Sequence, residues 1–144
     1  MAVPASRDID DAEVMRGEKI FNEINCTGCH TAKHITGVFQ GITEISNQVI
    51  YPFTDGLLHD MGFGLADDRP SFDANGQEWK TRPLWGIGLT EVVGGHTHFL
   101  HDGRARDLTE AILWHGGEAS KVISKFKSLN KLDRGVLIKF LESL

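Results

Sequence analysis

Residues 26–30 read Cys26-Thr27-Gly28-Cys29-His30. Two thiols at this spacing can add across the two vinyl groups of a porphyrin. The histidine that follows then falls beneath the iron as its proximal ligand. The run is the attachment signature of a c-type haem, and it uses both cysteines of the chain. A thioredoxin-like C-x-x-C pair has no need of the histidine and sits near a βαβ pattern. No such pattern surrounds this motif. A zinc knuckle needs two more ligands at close spacing, and no further cysteine exists to supply them. The residues therefore point to one covalent haem c, bound by Cys26, Cys29 and His30.

Such a motif needs elements to hold it. Asp10 or Asp11 can cap a helix over about 11–24, which leads straight into the haem motif. Val14, Gly17, Ile20, Phe21 and Ile24 fall on its apolar face. Gly17 is costly inside a helix, and its use there is close approach by another helix. Residues 36–106 are rich in glycine and turn residues, and read as long irregular loops with at most a short helix or strand. Long irregular stretches in a compact domain are usually functional or packed on a cofactor. Regular structure returns at Asp107, whose spacing to Glu110 has the shape of a capping box. That helix reaches about His115 and stops at Gly116-Gly117. It puts Leu108, Ala111, Ile112 and His115 on one face. A short helix over 118–127 buries Val122, Ile123 and Phe126. A last helix over 131–143, capped by Asn130, carries Leu132, Val136, Leu137, Phe140 and Leu141 as its apolar stripe. The expected fold class is all-α: a single cytochrome c-like domain over 1–144, with long haem-wrapping loops and crossing terminal helices.

The chain has 144 residues and a net charge of −5. That is one domain by length, and enough to bury a core around a haem. The negative balance argues against nucleic-acid or anionic-membrane partners and suits a basic redox partner. No apolar run approaches the roughly 20 residues of a membrane span. Residues 1–10 lack the regions of a secretory leader. Haem c is attached outside the cytoplasm, so the expected location is periplasmic, with the leader absent from this chain.

The iron's sixth position is open to His34, His59, His96, His98, His101, His115, Met15 and Met61. His34 stands too close to His30 to reach the opposite face. Met61 would make a His/Met cytochrome, or it packs on the haem edge. His96 and His98 read as an exposed loop pair. Asp55, Asp60, Asp67, Asp68 and Asp73 lack the spacing of a calcium loop and read as a solvated acidic face. Arg82, Arg104 and Arg106 are potential partners of the haem propionates. Trp79, Trp85 and Trp114 read as haem-pocket packing. His101 reads either as a turn residue or as a hydrogen-bond partner of a propionate or a loop carbonyl.

Several stretches resemble a known family. They are Tyr51-Pro52-Phe53-Thr54-Asp55, Leu57-Leu58-His59-Asp60-Met61-Gly62, Gly64-Leu65-Ala66-Asp67 and Glu78-Trp79-Lys80-Thr81. Pro83-Leu84-Trp85-Gly86, Leu100-His101-Asp102-Gly103-Arg104-Ala105 and Trp114-His115-Gly116-Gly117-Glu118-Ala119 complete the set. Together they are similar to the bacterial di-haem oxidoreductases, also called thiol oxidoreductases, which are related to the di-haem cytochrome c peroxidases. The resemblance runs from about residue 2 to Leu144 and covers the C-terminal haem domain of that family. In the peroxidase branch a methionine 14 residues after the histidine of an H-D-G motif is the sixth ligand. Here the motif is His101-Asp102-Gly103, and the matching position is His115. The resemblance thus implies bis-histidine ligation by His30 and His115. It further implies electron transfer as half of a di-haem oxidoreductase, and a partner that is a second haem domain of the same enzyme or a separate redox protein. The rival expectations are a peroxidase-like or thiol-oxidising enzyme with an accessible iron, and a haem-based ligand sensor.

Overall fold

The structure is a computed structural model that describes residues 5–144. The first four residues of the leader reading lie outside the described residues. Helix α1 spans Ala12–Glu23. Asp11 caps it by accepting from the backbone N–H groups of Glu13 and Val14. Its last turn ends at Ile24, and Asn25 takes a left-handed conformation to open the 3₁₀ turn Cys26–Gly28. Strand β1 (His34–Ile35) then pairs antiparallel with β2 (Val49–Ile50). Strand β3 (Leu58–Asp60) pairs antiparallel with β4 (Glu78–Lys80). Helix α2 covers Thr90–Gly94, α3 Leu108–Trp114, α4 Ser120–Ser128 and α5 Lys131–Ser143.

The all-α expectation is therefore corrected. Helix, 3₁₀ turns included, makes up 41 % of the structure and extended pairing, isolated bridges included, 10 %, with two small antiparallel sheets, so the fold class is mixed α/β. The reason lies in the glycine-rich middle. Its backbone N–H and C=O groups still need partners when the loops pack. Short pairings such as His59 opposite Trp79 supply them.

The core is the crossing of α1 and α5. Val14, Ile20, Phe21, Ile24, Val136, Leu137, Phe140 and Leu141 are buried together with Phe53, Leu108 and Phe126. Phe21, Phe53 and Phe140 form a mutual cluster with ring centroids 5.4 to 6.2 Å apart. Gly17 sits at the crossing. A Cβ there would run into the Val136 carbonyl and the Phe140 Cβ, so only glycine lets the two helices approach this closely. Lys139 of α5 reaches Asp11 at 2.7 Å and Glu13 at 2.6 Å, closing the rim of the same interface.

The boundaries differ in detail from the sequence expectation. Helix α3 ends at Trp114, with His115 as its C-cap residue in extended conformation rather than a member of the helical face. The 118–127 helix is a 3₁₀ turn, Gly117–Ala119, followed by α4. Helix α5 has the expected bounds and cap. Leu132 of its stripe is 59 % exposed.

Candidate functional site

The haem motif leaves α1 and is pinned from below by residues 53–55. The Nδ1 of His30 lies 2.9 Å from the Phe53 carbonyl. Asp55 N–H donates to the Cys29 carbonyl at 2.9 Å, and Thr54 N–H to the Thr31 carbonyl at 3.0 Å. Phe53 takes a left-handed φ of 53° to aim that carbonyl. Such a conformation is strained for a bulky side chain. Burial of the phenyl ring between Phe21 and Phe140 offsets it.

His115 is anchored in the same way. Its Nδ1 lies 2.8 Å from the Ala111 carbonyl, one helical turn back. In both histidines Nδ1 is committed to a backbone acceptor, which makes it the protonated nitrogen and leaves Nε2 with its lone pair. Burial, with a smaller contribution from the nearby His115, pushes the His30 imidazole down to about 4. Burial lowers His115 as well. Neutral imidazole with an anchored Nδ1 is the form in which histidine binds iron.

Cys26 and Cys29 are free thiols. Burial pushes Cys26 up to about 12, and burial with the Asp55 and Glu118 charges raises Cys29. A thioredoxin-type pair works through a thiol with a depressed pKa, so these shifts oppose that chemistry. The donor set fits a haem: two thiols, two part-buried imidazoles with free Nε2 atoms, and one unpartnered buried donor, Trp79 Nε1.

His59 joins the two sides of the site. Its Nε2 lies 2.8 Å from Asp55 Oδ2 and its Nδ1 2.9 Å from Glu118 Oε2. Glu118 also accepts from the Asp60 N–H. The two carboxylates hold the His59 pKa above its usual value, Glu118 contributing most. The turn after His115 is pressed onto the end of β3. A Cβ on Gly117 would strike the Asp60 carbonyl, and one on Gly116 would lie 2.8 Å from the Met61 carbonyl. Cys29, Asp55 and His59 bring three possible ligand atoms within 4.8 Å of one another. With both His59 nitrogens engaged by carboxylates, the group reads as a clasp.

The other expected residues fall as follows. His34 is tied through Nε2 to the Thr54 carbonyl at 2.6 Å. His96 and His98 lie side by side on an exposed loop, 5.6 Å between centroids. His101 stacks on Trp79. Met15 is half exposed on α1. Met61 is half-buried beside the Gly116 turn. Asp55, Asp60 and Asp67 accept from backbone N–H groups two residues on, which is turn chemistry. Arg104 is held by Asp102 at 2.6 Å and by the Gly64 carbonyl, with its guanidinium over the Trp114 ring. Arg106 is held by Glu110. The clasp role of His59 was missed in the sequence. The i,i+4 spacing of Asp55 and His59 was its one local signal, and Glu118 lies 59 residues away.

Among the described residues, no helix is long and apolar enough to cross a membrane. Neither curated proteins nor solved structures gave a match to the chain. A family model described as "Di-haem oxidoreductase, putative peroxidase" matches residues 1–144, the whole chain. The chain belongs to the di-haem oxidoreductase family, whose name implies haem binding and an oxidoreductase or peroxidase-like role.

Proposed function

We propose that this chain carries one covalent haem c, bound through Cys26 and Cys29 and ligated by His30 and His115. In this reading it relays electrons as the C-terminal haem domain of a di-haem oxidoreductase. The observation that carries the reading is the matched pair of anchors, His30 to Phe53 and His115 to Ala111, in two part-buried neutral imidazoles. A bound haem supplies a one-electron couple. The chain's own residues hold two part-buried imidazoles in fixed orientation, and His30 and His115 would be the pair that holds the iron. Substrate chemistry then belongs to the second haem. Imidazole donates more strongly to ferric iron than a thioether does, so the potential sits below that of a His/Met cytochrome. The partner is a second haem domain of the same protein or a basic redox protein facing the −5 charge. Thioether formation outside the cytoplasm makes the location periplasmic.

The test is the ferric spectrum of the haem-loaded protein. Low-spin iron without a sulfur-to-iron charge-transfer band supports two imidazoles. High-spin iron or a sulfur band overturns the ligand set. The family description favours a second reading, in which this iron itself turns over peroxide. Rapid peroxide consumption, with cyanide binding to the unaltered ferric protein, would establish it in place of electron transfer.

A further inference from the structure

The indole N–H of Trp79 is buried and meets no acceptor, alone in this among the buried side-chain polar atoms of the described residues. Native structures seldom leave a buried donor unpaired, so the atom needs a partner. Trp79 lies in β4 directly opposite His59 of β3. Directly opposed residues project from the same face of a strand pair. On that face His59 meets Asp55, which is bonded in turn to the Cys29 carbonyl. The indole is thus turned toward the haem-attachment loop. Its flat side is covered by His101, with ring centroids 3.6 Å apart and planes 14° from parallel.

The carboxylates on the flanking segments are already engaged. Asp55 accepts from His59 and the Leu57 N–H, Asp60 from the Gly62 N–H, and Asp102 from Arg104. A haem brings two carboxylates of its own. Two of the three arginines that would otherwise meet them, Arg104 and Arg106, are held by Asp102 and Glu110.

We propose that Trp79 Nε1 donates a hydrogen bond to a haem propionate, with His101 as the positioning residue that fixes the indole plane. The proposal rests on the haem reading above. It gives His101 its effect through Trp79, without a propionate contact of its own.

The test uses the haem-loaded protein in its ferrous, low-spin form. Nuclear Overhauser contacts between the Trp79 indole N–H and the propionate methylene protons are expected. The signal is assigned by its loss in Trp79→Phe, or by elimination in Trp85→Phe and Trp114→Phe if that variant does not fold. In resonance Raman spectra of Trp79→Phe, the propionate bending band should move to lower wavenumber with axial ligation unchanged. Indole N–H exchange should speed up by about ten- to a hundredfold in His101→Gly, the worth of a hydrogen bond to a charged group, and be restored in His101→Phe. No contact to the propionate protons, or an unmoved band in a folded variant, overturns the proposal and leaves water or another acceptor as the partner. Absence of covalent haem from the denatured mass would instead overturn the haem reading itself.

Discussion

His59 of β3 and Glu118, three residues beyond His115, are joined by a 2.9 Å contact between Nδ1 and Oε2. With Asp55 on the other nitrogen, both ring nitrogens face carboxylates, an arrangement that calls for the doubly protonated ring. The clasp ties the loop that pins the haem motif to the turn that follows His115. His59→Ala should destabilise the protein by about 1–3 kcal/mol, the range for lost hydrogen bonds to charged groups. Thermal unfolding of both proteins in parallel would check it, and equal midpoints would refute it.

The same clasp has a pH signature. The His59 pKa is raised in the folded protein. Its contribution is therefore complete below the unfolded histidine value and fades as pH rises through the raised one. The Asp55 and Glu118 values are lowered. Their contribution is present above the unfolded carboxylate values and fades as pH falls through the lowered ones. The stability gap between the native protein and His59→Ala should be widest between those limits and close at alkaline pH. A gap that keeps widening there would contradict the assignment.

His115→Gly should convert a low-spin ferric haem to a high-spin one that takes up imidazole or cyanide readily. His115→Met should raise the reduction potential if the thioether ligates. Helix α3 should survive both changes, since its N-terminal cap is Asp107, bonded to the Glu110 N–H. If His115→Gly leaves the spectrum unchanged and Met61→Ala abolishes it, Met61 is the ligand.

Gly17→Ala should destabilise the α1–α5 crossing by about 1–3 kcal/mol, as overpacking a close contact does. The added methyl meets the Val136 backbone, which cannot swing aside. Urea unfolding would measure it. A stabilised variant would show that the ordinary helical preference for alanine outweighs the contact.

Much of the frame was legible because its signals are local. Asp11, Asp107 and Asn130 cap the helices expected of them, and the glycine at position 17 announced a helix crossing. The strands were not legible. Leu58–Asp60 and Glu78–Lys80 have three residues each, too few for an alternating pattern, and they lie far apart along the chain. The extended backbone of His115 was hidden by the helical periodicity of Leu108, Ala111 and Ile112, which continues to it by spacing alone. The Trp79–His101 stack joins β4 to a distant turn, a packing that leaves no local trace.

In the proposed bis-histidine centre, the carbonyl anchors on His30 and His115 would also bear on how fast electrons exchange. A ring free to rotate about its own axis would relax each time the iron changed charge, and that relaxation adds to the reorganisation energy. Here each ring is held by a backbone oxygen, one in a strained residue locked into the aromatic core and one in the last turn of a helix. Dipoles fixed beforehand need not move when charge appears. Freeing either ring, by shifting the Phe53 backbone or unwinding the end of α3, would slow self-exchange while leaving the ligands and the spectrum in place.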